Sequence, residues 1–189
     1  MLSTSIQLSD ILITEQLQSR PKRLANIPME LAALRKINRY VAEGSAAPAA
    51  ELCEYAASMC HAGSAGVSIL RNIENQECLS WDVVIGKAAP LAGGTAPRQE
   101  SPCGICLKHK APQLFYRPAR YFRWMESVDI PVIEALVVPL YRSNTRPVGT
   151  MWILSHDEGR KFDKEDVRIL RELSGHVLTA VTRTESAAA

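Results

Sequence analysis

Between Glu134 and His156 the chain reads EALVVPLY, RSNTR, PVGTMWILSH: two apolar segments joined by a short polar link. That pattern reads as an antiparallel hairpin, and it fixes much of what the rest of the chain must do. Pro139 has no N–H to give to a ladder, so it predicts an edge position or a bulge within the first strand. An earlier stretch repeats the arrangement. SAGVSILR, the connection NIENQE and CLSWDVVIGK form a second hairpin, in which Leu79, Trp81, Val83 and Ile85 alternate with Ser80, Asp82 and Val84. Two hairpins need helices to cover them.

The helical segments lie outside the hairpins. Ile27, Leu31, Leu34 and Val41 recur at helical spacing until Gly44 and Ser45 end the run. A second helix begins near Pro48, with Leu52, Cys53, Ala56, Met59 and Cys60 on its apolar stripe. Residues 87–98 contain Pro90, Gly93, Gly94 and Pro97 and read as a loop. FDKED opens the last helix, with Asp163 as N-cap, Asp166 at the third helical position, and Phe162 and Val167 as a hydrophobic staple. Val167, Leu170, Leu173, Val177, Leu178 and Val181 line one face of it. Hairpins with segregated helices define an α+β domain. The absence of βαβ alternation argues against a dinucleotide fold, and GGTAPR lacks the fingerprint spacing.

Bulk properties narrow the function. The chain has 189 residues, 47% hydrophobic and 22% charged, which suits one compact domain with a substantial core. With 22 basic against 20 acidic residues, nothing in the charge balance points to nucleic acid. No apolar run approaches membrane-spanning length, and the N-terminal stretch is no signal peptide. Five cysteines without secretory context point to reduced thiols and a cytoplasmic protein. Residues 1–24, ending in the basic RPKR, read as a leader that is partly flexible or helical.

Three stretches carry a family likeness: ELCEYAASMCHAGSAGVSIL, GGTAPRQESPCG, and EALVVPLYRSNTRPVGTMWILSHDEGRKFDKED with the helix after it. Together they resemble the GAF domain family, most nearly the GAF modules of bacterial two-component sensor histidine kinases. The likeness spans about Met29 to Val181 and places the domain at 25–185, with a tail at 186–189. It implies a central antiparallel sheet with terminal helices on one face. On the other face it implies a ligand pocket under a short helix and a loop. It further implies signal transduction by a small-molecule ligand, dimers through the terminal helices, and a histidine kinase or other signalling partner. Pocket candidates are Trp81, Arg98, Cys103, Cys106, His109, Tyr121, Trp124 and Trp152.

SPCGICLKHK concentrates the possible chemistry. Ser101 caps a helix with Pro102 in its first turn, so Cys103 sits at the positive end, where a thiolate is favoured. One reading packs Cys103 and Cys106 as small hydrophobes. A redox reading uses Cys103 with Cys106 or Cys78. Cys103-Gly104 resembles a segment of the free methionine sulfoxide reductases, although VDIPVIEALVVP lacks their further cysteine. A third reading attaches a bilin, despite the absence of a histidine directly after either cysteine. Zinc held by Cys103, Cys106 and His109 lacks a fourth ligand, so no metal is expected. RPARYFRWMES reads as a lid with inward aromatics and solvent-facing arginines. His156 and Asp157 lack a nearby nucleophile and read as a turn cap. The expectation is a non-enzymatic, ligand-binding sensory domain with no named cofactor.

Overall fold

The computed structural model describes residues 6–45, 47–143 and 146–187. Its centre is a six-stranded antiparallel sheet, β1 (Ser64–Ile73), β2 (Gln76–Gly86), β3 (Thr95–Pro97), β4 (Gln113–Tyr116), β5 (Glu134–Ser143) and β6 (Arg146–Ser155), in the spatial order β3-β2-β1-β6-β5-β4. Both expected hairpins form. The helices are α1 (Gln16–Ser19), α2 (Ile27–Ala42), α3 (Ala49–Met59), α4 (Pro102–His109) and α5 (Lys164–Ala187). The tip of the second hairpin, residues 144 and 145, and the last two residues of the expected tail lie outside the described residues. α5 runs through residues 186 and 187.

Alternation along the strands divides two hydrophobic clusters between the sheet's faces. Val67, Ile69, Leu136, Val138, Met151 and Ile153 join Leu52, Cys53, Ala56, Phe162, Leu170 and Leu173 in one cluster. Val137, Trp152 and Leu154 join Leu79, Cys103, Cys106, Leu107 and Phe115 in the other. On β2 this alternation breaks. Val67 faces Val83 but Ser68 faces Trp81, so Asp82 is an extra residue at a bulge. A one-residue insertion flips every later side chain. Trp81 therefore packs with the α4 cluster, whereas Val83 and Ile85 pack with the α3/α5 cluster. The uniform alternation expected from Leu79 to Ile85 is thus corrected. One other departure concerns a short piece: the 87–98 loop contains the edge strand β3. Pro139 lies as expected, past the last β4 pairing at Val137 and beside a register shift at Leu140/Tyr141.

The leader is held against the domain. Leu12 bridges Phe115 on the outer edge of β4, with Ile13 N–H donating to Leu114 O and Tyr116 N–H to Ile11 O, each at 2.8 Å. Ile11 and Leu17 are buried beneath it. The basic RPKR then meets carboxylates. Arg20 pairs with Glu134 at 2.8 Å, Lys22 with Glu165 at 2.7 Å and Arg23 with Asp166 at 2.9 Å, and all three acids are fully buried. Arg160 reaches Asp166 from the other side at 2.7 Å. Asp163 caps α5 as expected: its Oδ1 accepts from Glu165 N–H and its own N–H donates to Asp166 Oδ2.

Candidate functional site

The α4 face of the sheet contains a cavity of about 50 Å³. Trp152 from β6 forms its floor, with Ala135, Val137 and Leu154. Trp81 and Leu91 form one wall, the start of α4 a second, and Trp124 and Met125 the roof. The volume holds a few waters and is far below the several hundred Å³ of a drug-sized pocket. No charged side chain lines it.

Each wall follows from local structure. Trp152 has room because Gly66 lies across from it on β1; a Cβ there would sit 2.3 Å from its ring. Its indole N–H donates to Ser68 Oγ at 2.9 Å. The Asp82 bulge turns Trp81 to this face, where it meets Trp124 with ring centroids 5.2 Å apart, tilted by 31°. Trp124 sits on the second of two 3-10 turns, Pro118–Arg120 and Arg123–Val128, framed by Arg117 and Asp129, both with positive φ (45° and 49°). That segment is anchored by buried Phe122, edge-on to Phe115, and by the Trp124 indole N–H donating to Glu100 O at 2.6 Å. Arg120 and Arg123 point to solvent, and Arg117 pairs with Glu158. Of the aromatics in RPARYFRWMES, Phe122 and Trp124 pack inward as expected, whereas Tyr121 is exposed, which corrects the expectation for that residue.

α4 begins as its sequence dictates: Ser101 Oγ accepts from Gly104 N–H at 3.0 Å, and Pro102 occupies the first turn. Gly104 is required here because any Cβ would fall 1.5 Å from Arg98 O. Cys103 therefore wedges into the cavity wall, its Sγ 3.7 Å from Ser68 Oγ. Burial pushes its thiol up, outweighing the hydroxyls of Thr150 and Ser68 and the backbone N–H at the helix start. At Cys103 burial thus opposes the thiolate that the helix start favours.

The eight candidates divide. Trp81, Cys103, Trp124 and Trp152 surround the cavity. Cys106 lies behind it, fully buried, its Sγ–H shared between Ala111 O and Val137 O at 3.4 and 3.5 Å. Burial raises its pKa strongly as well. His109 is exposed on the last turn of α4, outside the cavity lining. Arg98 pairs with Glu77 and, with Tyr121, lines a separate surface cleft. Arg98 and Tyr121 therefore do not line the tryptophan-walled cavity, which corrects their place among the pocket candidates. All five cysteines are free, and among the described residues no group of three or more metal-ligating side chains converges. Sequence reasoning missed Leu91, Met125, Ala135, Val137 and Leu154. Stepping two residues from Trp152 finds Leu154, but the β5 residues follow only from the cross-strand register.

His156 has a partner that the sequence did not place. Its Nδ1 lies 2.6 Å from Pro131 O and its Nε2 2.8 Å from Ser64 Oγ, which also accepts from Ala88 N–H. Donation from Nδ1 leaves Nε2 to accept the Ser64 proton, so every group is satisfied. Ser64 is fully buried. The trio ties the start of β1 to the end of β6.

This sheet with its helix-and-lid-covered pocket is the architecture of a small-molecule-binding signalling module. The GAF domain family matches residues 49–182, and the chain belongs to that family. Solved structures agree in fold. The GAF domain of a phosphoenolpyruvate-protein phosphotransferase from Coxiella burnetii aligns with a TM-score of 0.66 at 14% identity, covering 87% of this chain and 99% of that one. The GAF-B domain of DevS from Mycobacterium smegmatis gives 0.56 at 18%, covering 74% and 93%. Free methionine-R-sulfoxide reductase from Neisseria meningitidis gives 0.55 at 18%, covering 73% and 78%. No curated protein matches the chain. Among the described residues no helix is long and apolar enough to cross a membrane.

Proposed function

We propose that this chain is a non-enzymatic sensory GAF domain that takes a small, uncharged, largely apolar or aromatic ligand into the tryptophan-walled cavity. The observation behind this reading is the convergence of Trp81, Trp124 and Trp152 on a cavity with no charged lining. A charged ligand would lose its hydration there with no counter-charge to replace it. The cavity is small, so a ligand larger than a few atoms requires the lid to move outward. Arg117 and Asp129, at the lid's two ends, are the natural hinges. Output runs through a dimer or a signalling partner such as a histidine kinase.

The redox reading has less support. A thiolate is the nucleophile in such chemistry, and burial pushes the Cys103 and Cys106 thiols up, against that form. A bilin bond would need the same buried sulfur.

Tryptophan fluorescence of the purified chain, titrated with toluene as a first aromatic probe because it does not absorb where tryptophan is selectively excited, tests the proposal. Saturable quenching or a spectral shift is expected. Ala135→Leu, which fills the cavity, and Trp124→Ala, which removes its roof, should each weaken binding about tenfold or more. Binding that survives Ala135→Leu unchanged places the ligand elsewhere. Methionine sulfoxide turnover lost in Cys103→Ser would overturn the non-enzymatic reading.

A further inference from the structure

Leader and α5 enclose a second recess, which shares no residue with the tryptophan-walled cavity. It is a cleft of about 430 Å³, lined by Thr14, Leu17 and Gln18 from the leader and by Lys164, Arg168 and Arg171 from α5. That size falls within the range of small-molecule sites. Positions 164, 168 and 171 lie on one side of the helix, with 164 and 171 about 10 Å apart along it. Among the described residues no acidic side chain lines the cleft. Two of its three cations are left over by the fold. Arg168 is shared among Glu30, Glu165 and Glu172. Lys164 and Arg171 are exposed, and among the described residues neither enters an ion pair. The acids of the same turn are answered from other directions, Glu165 by Lys22 and Arg168, and Asp166 by Arg23 and Arg160. Lys164 and Arg171 share the cleft with apolar Leu17, Pro112 and Val167.

We propose that this cleft binds a small organic phosphate, its dianionic head drawn by Lys164 and Arg171 and its apolar body against Leu17, Pro112 and Val167. Arginine presents a planar fork that matches phosphate oxygens, and lysine adds a mobile point charge. A dianionic head with three oxygens can engage both at once. Gln18, exposed on the leader, offers amide N–H groups on the facing wall. Such a ligand touches leader and α5 together, so it binds only the docked arrangement. Linkage then makes the ligand hold the leader down. It would reinforce the clamp that Lys22 and Arg23 already make with Glu165 and Asp166, in the turn that Lys164 begins. Leader docking thereby becomes dependent on the concentration of an anion.

The test is calorimetric titration of the full chain with phenyl phosphate at low salt. Saturable binding at about 1 mM or tighter is expected in wild type. The double variant Lys164→Gln/Arg171→Gln changes two exposed side chains, so its circular dichroism and ligand-free melting temperature should match wild type while affinity falls about tenfold or more. Ala135→Leu, which fills the other cavity, should bind phenyl phosphate as wild type does. Saturating phenyl phosphate should also slow tryptic cleavage after Arg20, Lys22 and Arg23 in wild type and leave the double variant unprotected. No binding at about 10 mM overturns the proposal, as does binding that the double variant keeps or that Ala135→Leu loses. Binding without protection of the leader overturns the coupling. Capture of hexaglutamate, or of vesicles containing phosphatidic acid, by a chain that ignores phenyl phosphate overturns the small-molecule assignment in favour of an acidic protein segment or a lipid surface.

Discussion

On the face covered by α3 and α5, the sheet presents Val67, Leu136, Val138, Met151 and Ile153 to aliphatic helix residues and Phe162. On the face under α4, strands β2, β5 and β6 present Trp81, Ala135, Val137, Trp152 and Leu154 to one short helix, the lid and the leader residue Ile11. Strand alternation serves both faces equally, so the difference lies in residue size and in what covers them. Branched aliphatics under a long helix close the first face. Large rings standing beside small residues, Ala135 and Cys103, leave a gap in the second, because rigid indoles cannot fold into the corners. The first face is further sealed by buried ion pairs from the leader, whereas the second is latched mainly by the Trp124–Glu100 hydrogen bond and Phe122. One face is built to stay shut, the other to yield.

The largest test of this contrast removes a ring from the closed face. Phe162→Ala should cost about 3–5 kcal/mol in urea unfolding, since that side chain is fully buried at the start of α5. Met125→Ala in the lid should cost less than about 1.5 kcal/mol, because its side chain is only partly buried. Equal costs would erase the distinction.

Next comes the ionic seal. Asp166→Asn leaves Arg23 and Arg160 without their shared carboxylate and should cost about 2–3 kcal/mol, below the range for a wholly dry pair because both arginines keep some solvent contact. Limited proteolysis should then cleave before Arg23 sooner than in wild type. Acid should mimic the effect at the neighbouring pair. Arg168 hydrogen bonding holds Glu165 at about 2, so its contribution is present above the usual carboxylate range and is lost as pH falls toward 2.

The smallest effect distinguishes the thiols of the two faces. Burial pushes Cys53, on the closed face, up to about 12. The unfolded chain releases that proton near 9, so stability should fall as pH rises from about 9, and Cys53→Ala should flatten the decline in melting temperature. Alkylation of native protein at neutral pH should be slow at Cys53 and Cys106. Faster labelling of Cys103 alone would show that the lid opens often enough to admit reagent.

Much of this was legible in the sequence because the signals were local. The Asp163 cap, the Ser101-Pro102 start of α4 and both hairpins depend on neighbours a few residues apart. What the sequence concealed depends on distant partners. The Asp82 bulge is defined by Val67 and Ser68 on another strand, and no period within 78–86 reveals it. The RPKR stretch read only as the end of a partly flexible or helical leader because its acids lie more than a hundred residues away. The pocket was half legible for the same reason. Tryptophans stand out by type, whereas Ala135 and Val137 acquire their place only through register.

The leader clamp also has a mechanical consequence. Tension applied to the chain before Arg20 meets, in series, the pairs to Glu134, Glu165 and Asp166 before it reaches α2. The force therefore reaches α2 only after these contacts with Glu134 and the root of α5 have given way in turn. α2 and the first turn of α5 are thus fastened at one pivot, and a displacement imposed on either helix is delivered to the other as a lever delivers motion through its fulcrum.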